Sequence, residues 1–170
     1  MTSRSTVHEA HSDVSMVVGL ANIPETIRSL DTLDNPDYVD LYTATTVAAK
    51  KRSPEQWARA AFEESPAAHR RSSLAWGMLR LRLGPSHSPD YVHGWKIAER
   101  GEDWIRMETA SWYMTTHIVF QVDERHVNFA LFVRYDRPVA VFIWPMFSIA
   151  HRQASLVLMR RVARSRTRTV

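Results

Sequence analysis

Three polar side chains stand in otherwise apolar company in this 170-residue chain: Thr116 and Tyr135 in stretches of alternating hydrophobicity, and His151 one turn past an apolar helical segment. A neutral imidazole beside a phenol can orient a carbonyl or shuttle a proton, so His151 with Tyr135 would suit an enolisation, a cyclisation or a dehydration. The commoner role of such a histidine is a hydrogen-bonded packing residue, and at this point both roles stay open. Asp40 and Tyr42, on a strand, could edge a pocket mouth, although an outward aspartate needs no function.

Other chemistries find less support. The chain has no cysteine, which removes disulfides, thiolate metal sites and a thiol nucleophile. Of the eight histidines, His8 and His11 sit close together in a polar N-terminal stretch without a third ligand, so no metal site is expected. His117 and His126 fall on neighbouring strands in the outward phase, where cross-strand pairing accounts for them. The five glycines are scattered and form no phosphate-cradling loop, so no nucleotide and no other cofactor is expected.

Charge is distributed unevenly. Residues 1–34 carry Arg4 and Arg28 against Glu9, Asp13, Glu25, Asp31 and Asp34, whereas Arg160, Arg161, Arg164, Arg166 and Arg168 crowd the C-terminus without an acid. Arginines there complement a helix dipole and then continue into a solvated basic tail, residues 164–170. No aromatic residue interleaves them to stack bases, so nucleic acid is not an expected partner. The N-terminus lacks the basic start and apolar run of a signal peptide, and the longest apolar stretch, Pro138 to Ala150, is shorter than the roughly 18 residues of a membrane span. A cytoplasmic protein without integral membrane association is the expectation.

The elements that must position these residues follow from periodicity. Residues 1–34 read as an irregular, partly disordered segment in which Val14 to Ile23 supplies a short strand or lead-in. Asp37 to Val47 is rich in β-branched and aromatic residues and alternates Val39, Leu41, Thr43 and Thr45 against Tyr38, Asp40, Tyr42 and Ala44, which predicts a strand. Ser53-Pro54-Glu55-Gln56 is a capping box with proline at the first helical position, and Ser65-Pro66 repeats the start signal, so two helices follow. The first turns Trp57, Ala61 and Phe62 to the core; the second ends by Gly84-Pro85.

From Val92 the period changes to two, and Val92 to Glu99, Asp103 to Thr109, Ser111 to Val122 and His126 to Tyr135 read as consecutive strands with hairpin-sized links. One face collects Trp95, Ile97, Ile105, Met107, Trp112, Met114, Thr116, Ile118, Phe120, Val127, Phe129, Leu131, Val133 and Tyr135. The other, with Arg106, His117, His126 and Asn128, is predicted to be largely solvated. A long helix then runs from about Asp136 to Ala163, its first half apolar nearly all round and so expected to be enclosed, with Pro145 kinking it.

The order of strand, two helices, antiparallel strands and long helix resembles the helix-grip architecture of the START-like superfamily, which includes polyketide cyclases, plant allergens and steroid-transfer domains. The resemblance spans residues 35–163. More closely, Asp37-Tyr38-Val39-Asp40, Gly94-Trp95-Lys96-Ile97, Phe132-Val133-Arg134-Tyr135-Asp136-Arg137-Pro138 and His151-Arg152 look like a family of small domains of unknown function. The resemblance implies an α+β fold in which a curved antiparallel sheet wraps the C-terminal helix. The superfamily usually has seven strands; about five are legible here, and the remainder would be missing or lie in the N-terminal segment.

It further implies a pocket between sheet and helix for an apolar or aromatic small molecule, with Trp112, Met114, Thr116, Phe129, Tyr135, Trp144, Phe147 and His151 as the candidate ligand-binding residues. Those large side chains, with Met146, could also fill the space. Three functions therefore remain: a small-molecule-binding domain, a cyclase, dehydratase or isomerase acting on a polyketide-like carbonyl compound through His151 and Tyr135, or a packed protein-interaction module. Strand-edge pairing leaves a homodimer open.

Overall fold

A computed structural model describes residues 14–86 and 88–164. The expectations for residues 1–13, including His8 and His11, and for the tail beyond Arg164 lie outside the described residues.

Seven strands form one antiparallel sheet, β1 (Val14–Val18), β2 (Tyr38–Thr45), β3 (Tyr91–Val92), β4 (Trp95–Arg100), β5 (Trp104–Ala110), β6 (Met114–Val122) and β7 (His126–Tyr135), in the order β1-β2-β7-β6-β5-β4-β3. The four helices are α1 (Glu25–Arg28), α2 (Pro54–Phe62), α3 (Pro66–Met78) and α4 (Ala140–Arg164). The fold is thus α+β, with a long C-terminal helix. The two strands not read as strands from the alternating stretches are β1, in the N-terminal segment, and β3, whose two residues are too few to show a period.

Local signals account for the helix starts. Ser53 Oγ accepts from the Gln56 N–H and Gln56 Oε1 accepts from the Ser53 N–H, closing the capping box of α2, while Ser65 Oγ accepts from the Ala68 N–H at α3. Helix α3 ends where Arg80 takes a φ of 54°, a left-handed conformation that no helix continues through.

The principal core lies between one face of the sheet and α2 and α4. Trp57, Ala58, Ala61 and Phe62 of α2 meet Ile105, Met107, Ile118, Phe120, Val127 and Phe129 there, and Trp57 Nε1 donates to the Ala49 carbonyl at 2.8 Å. On α4 the buried positions Trp144, Ser148, Ser155, Met159 and Val162 recur at helical spacing, with Phe147 and His151 half-buried between them.

Three expectations are corrected. The opposite sheet face is not largely solvated: Ile23, Ile27 and Leu33 cover Val39, Leu41, Val119, Ala130 and Phe132 in a second small core. That cover buries His117, whose Nδ1 lies 2.6 Å from Asp31 Oδ1, and it brings the Leu30 carbonyl to Arg106 Nη1 at 3.1 Å. Nor is the first half of α4 enclosed, because Val141, Phe142, Met146 and Ile149 remain exposed on the side away from the sheet. Finally, Trp112 belongs to the β5–β6 turn rather than to a strand; it is half exposed, with the Arg137 guanidinium over its ring at 5.9 Å. Ser111 closes that turn through its N–H to the Met114 carbonyl, so the alternation of β6 starts only at Met114.

Among the described residues no helix is long and apolar enough to cross a membrane.

Candidate functional site

Strand pairing explains why a carboxylate enters the core. In β2, Tyr38, Asp40 and Tyr42 stand opposite Val133, Leu131 and Phe129 of β7. Directly opposed residues of an antiparallel pair project to the same face, so the apolar phase of β7 carries Asp40 inward with its neighbours. Asp40 has no exposed surface. A carboxylate is tolerated there only if its oxygens are satisfied, and three donors do so. Tyr38 Oη donates to Oδ2 at 2.6 Å and Tyr42 Oη to the same oxygen at 2.9 Å, while His151 Nε2, from α4, lies 3.0 Å from Oδ2 and 3.4 Å from Oδ1.

Burial first, and then the negative charge of Asp40 beside them, push both phenols well above the ordinary tyrosine value, which keeps them as neutral donors. Ser155, one turn on from His151 and buried, places Oγ 3.5 Å from Nε2, the outer limit of a hydrogen bond. Around the imidazole the rings of Trp144, Tyr42 and Phe129 have centroids at 5.7, 6.2 and 6.4 Å.

His151 is also part of a cavity wall. A cavity of about 490 Å³ lies between the sheet and helices α2, α3 and α4. Its floor is Trp95, Met114, Ile118, Phe129 and Leu131 of the sheet, its roof Trp144, Phe147 and Leu158 of α4, and Phe62 and Trp76 close the sides. Helix α3 makes this space: Ser72, Ala75 and Trp76 face the cavity, none of its residues is fully buried, and it forms a wall rather than a packed layer. Polar groups gather toward the gap between α3 and α4, where the exposed side chains of Arg71, Gln153 and Arg161 border the cavity.

Of the eight residues expected to bind a ligand, Met114, Thr116, Phe129, Trp144, Phe147 and His151 stand on the cavity wall. Thr116 is internally committed, its Oγ1 donating to the Thr109 carbonyl at 3.0 Å. Trp112 and Tyr135 are placed elsewhere. Trp112 is in the surface turn already described. Tyr135 ends β7, where Asp37 Oδ2 accepts its backbone N–H at 2.6 Å, and its ring packs at the margin of the core. The pairing of His151 with Tyr135 is therefore replaced by one with Asp40, Tyr38 and Tyr42. The sequence holds the signal for this: Asp40 alternates in phase with Tyr38, Tyr42 and Ala44, and His151 lies on the same helical stripe as Ser148, Ser155 and Met159.

A second cluster adjoins the cavity behind α3. His93 is buried at a φ of 47°, with Ser72 Oγ at 2.9 Å and Ser73 Oγ at 3.2 Å from Nε2 and its ring against those of His69 and Trp76. Burial, reinforced by the neighbouring His69, pulls its pKa down to about 4, so it is a neutral packing group at ordinary pH. Among the described residues no group of three potential ligands converges as a metal site.

No protein-family model, no curated protein and no solved structure matches this chain.

Proposed function

We propose that the chain is a small-molecule-binding domain that holds an apolar or aromatic molecule between its sheet and C-terminal helix, a helix-grip arrangement of the START-like kind. The observation that carries this reading is the cavity itself. About 490 Å³ falls within the roughly 300–1,000 Å³ of small-molecule sites, and the wall combines many apolar and aromatic side chains with few polar ones. A core made only for stability closes such space, since unfilled volume forfeits dispersion contacts on every wall.

The polar rim supports the same reading. The exposed side chains of Arg71, Gln153 and Arg161 border the cavity, and among the described residues the hydrogen-bond partner of Arg161 is Ser65 Oγ, at 3.4 Å. A molecule with an apolar body in the cavity can present its polar end to them.

Native mass spectrometry of the protein from its own host, followed by extraction, is the direct test, and a stoichiometric apolar passenger is the expected result. The partner experiment is Ala154→Trp. Ala154 is an exposed position of α4 on the cavity border, so an indole there obstructs the cavity without entering the core. Binding of a fluorescent apolar probe is expected to weaken at least tenfold while the melting temperature stays within a few degrees. An unaltered affinity in this variant, or no binding across a broad lipid and polyketide panel, would rule the cavity out as the binding site.

A further inference from the structure

A binding cavity alone does not explain the imidazole in its wall. His151 Nε2 faces Asp40, and Asp40 already accepts from two phenols at 2.6 and 2.9 Å. A carboxylate accepts hydrogen bonds and Nε2 is its third partner, so Nε2 carries the proton in the neutral ring and Nδ1 carries the lone pair. No described residue hydrogen-bonds to Nδ1, and the side chain is 21% exposed beside the cavity. His117, which ties the N-terminal cover to the sheet, offers the contrast: both of its nitrogens face carboxylates, Asp31 at 2.6 Å and Glu108 at 3.8 Å. A tie between β2 and α4 needs one donor, and it needs no basic nitrogen beside a cavity.

We infer that His151 Nδ1 is a general base in this cavity, held by Asp40 as its positioning residue, and that the ligand is an apolar carbonyl compound whose enolisable C–H lies between the carbonyl and a C=C bond, which the protein moves into conjugation. The inference rests on the cavity being a binding site. In the reaction Nδ1 takes the proton from the carbon next to the carbonyl, and the C–H electron pair moves into the adjoining C–C bond as the carbonyl becomes an enolate. The imidazolium then returns the same proton to another carbon of the conjugated system, and the carbonyl re-forms. Nothing is oxidised or reduced. Asp40 opposes the positive charge while it lasts, and it holds the ring in one orientation through Nε2. The apolar walls favour a neutral substrate and keep the base desolvated. Tyr38 and Tyr42 fix the carboxylate and stay out of the proton path.

The probe for this is 5-nitrobenzisoxazole, a flat apolar carbon acid. A base that removes its ring C–H proton sends that electron pair into a nitrile, breaks the N–O bond and releases a coloured cyanonitrophenolate. Binding is read separately by quenching of tryptophan fluorescence, and turnover by absorbance. His151→Gln places an amide donor near Nε2, which can keep the contact with Asp40, but it has no basic nitrogen; His151→Ala is its companion, and His126→Gln, at the half-buried start of β7 and not on the cavity wall, is the control.

The expected result is saturable turnover in the parent and in His126→Gln, and a loss of kcat of at least tenfold in both His151 variants with the quenching constant within threefold. Asp40→Asn should lower kcat while the quenching constant stays within threefold. A His151→Gln protein that binds the probe and turns it over at the parental rate overturns the base, as does a parent that binds without turnover. If the parent does not bind the probe at all, the cavity reading fails first and the base falls with it.

Discussion

Asp40→Ala tests the packing logic of the site before any ligand is known. The parent buries the carboxylate completely beneath three donors. Truncation removes their common acceptor and leaves the Tyr42 hydroxyl, the Tyr38 hydroxyl and His151 Nε2 facing one another across a small void. A hydrogen bond to a charged acceptor contributes about 1.5–3 kcal/mol, and breaking a buried charged cluster from one side costs about 3–5 kcal/mol. Tyr38 is half-buried and His151 borders the cavity, so water can reach part of the cluster, and we expect about 3–4 kcal/mol. With a urea slope of about 2 kcal/mol/M, that moves the unfolding midpoint down by roughly 1.5–2 M. Asp40→Asn keeps the shape and leaves an oxygen for the two phenols, but it removes the charge and turns an amide donor toward His151 Nε2, and should cost about 2 kcal/mol.

Coupling separates this cluster from a simple cavity effect. Tyr42→Phe alone should cost about 1–1.5 kcal/mol, because it removes one bond from a fully buried ring. In the Asp40→Ala background the same change should cost close to nothing, since the hydroxyl has already lost its acceptor. Urea melts of the four proteins in the cycle settle the point. Equal Tyr42→Phe penalties in both backgrounds, or an Asp40→Ala penalty below about 1 kcal/mol, would refute the reasoning.

Two further predictions concern the histidines that hold walls in place. His93 has its pKa depressed to about 4, below the ordinary histidine value near 6.5, so between those pH values the unfolded chain binds the proton and the folded one does not. Stability is then fully present above about 6.5 and declines as the pH falls toward 4, by at most about 3 kcal/mol; urea midpoints at pH 7.5 and 5 should show the loss, and His93→Gln should flatten it. Asp31→Asn weakens the contact with His117 that pins the N-terminal cover, and hydrogen exchange of residues 20–33 should accelerate at least tenfold while the amides of β6 and β7 keep their protection; unchanged exchange would mean that the apolar contacts of Ile23, Ile27 and Leu33 suffice to hold it.

What the sequence alone determined is the class of fold and the local order of its elements. Periodicity of two marks β7 at its actual ends and most of β2, β4, β5 and β6, because a sheet with a core on one face imposes that alternation. The capping serines mark α2 and α3, because orphan N–H groups at a helix start need a side-chain acceptor nearby in sequence. His151 is likewise recognisable as a polar residue on an inward helical stripe.

The tertiary structure alone decided what His151 meets. Asp40 lies 111 residues away, and an aspartate in an alternating strand reads as outward until the register with β7 carries it to the apolar side. Tyr135 has the sequence character of a partner but sits at the far end of its strand from Phe129, and no local pattern reports that distance. The cover over His117 is similar: residues 20–33 show too little periodicity to announce a packing face, yet they fold back across Val39, Leu41, Val119, Ala130 and Phe132 and bury the histidine with them. Whether large aromatic residues fill a core or wall a cavity is also non-local, since it depends on how closely α3 approaches the sheet, and that separation is set by packing among elements far apart in the chain.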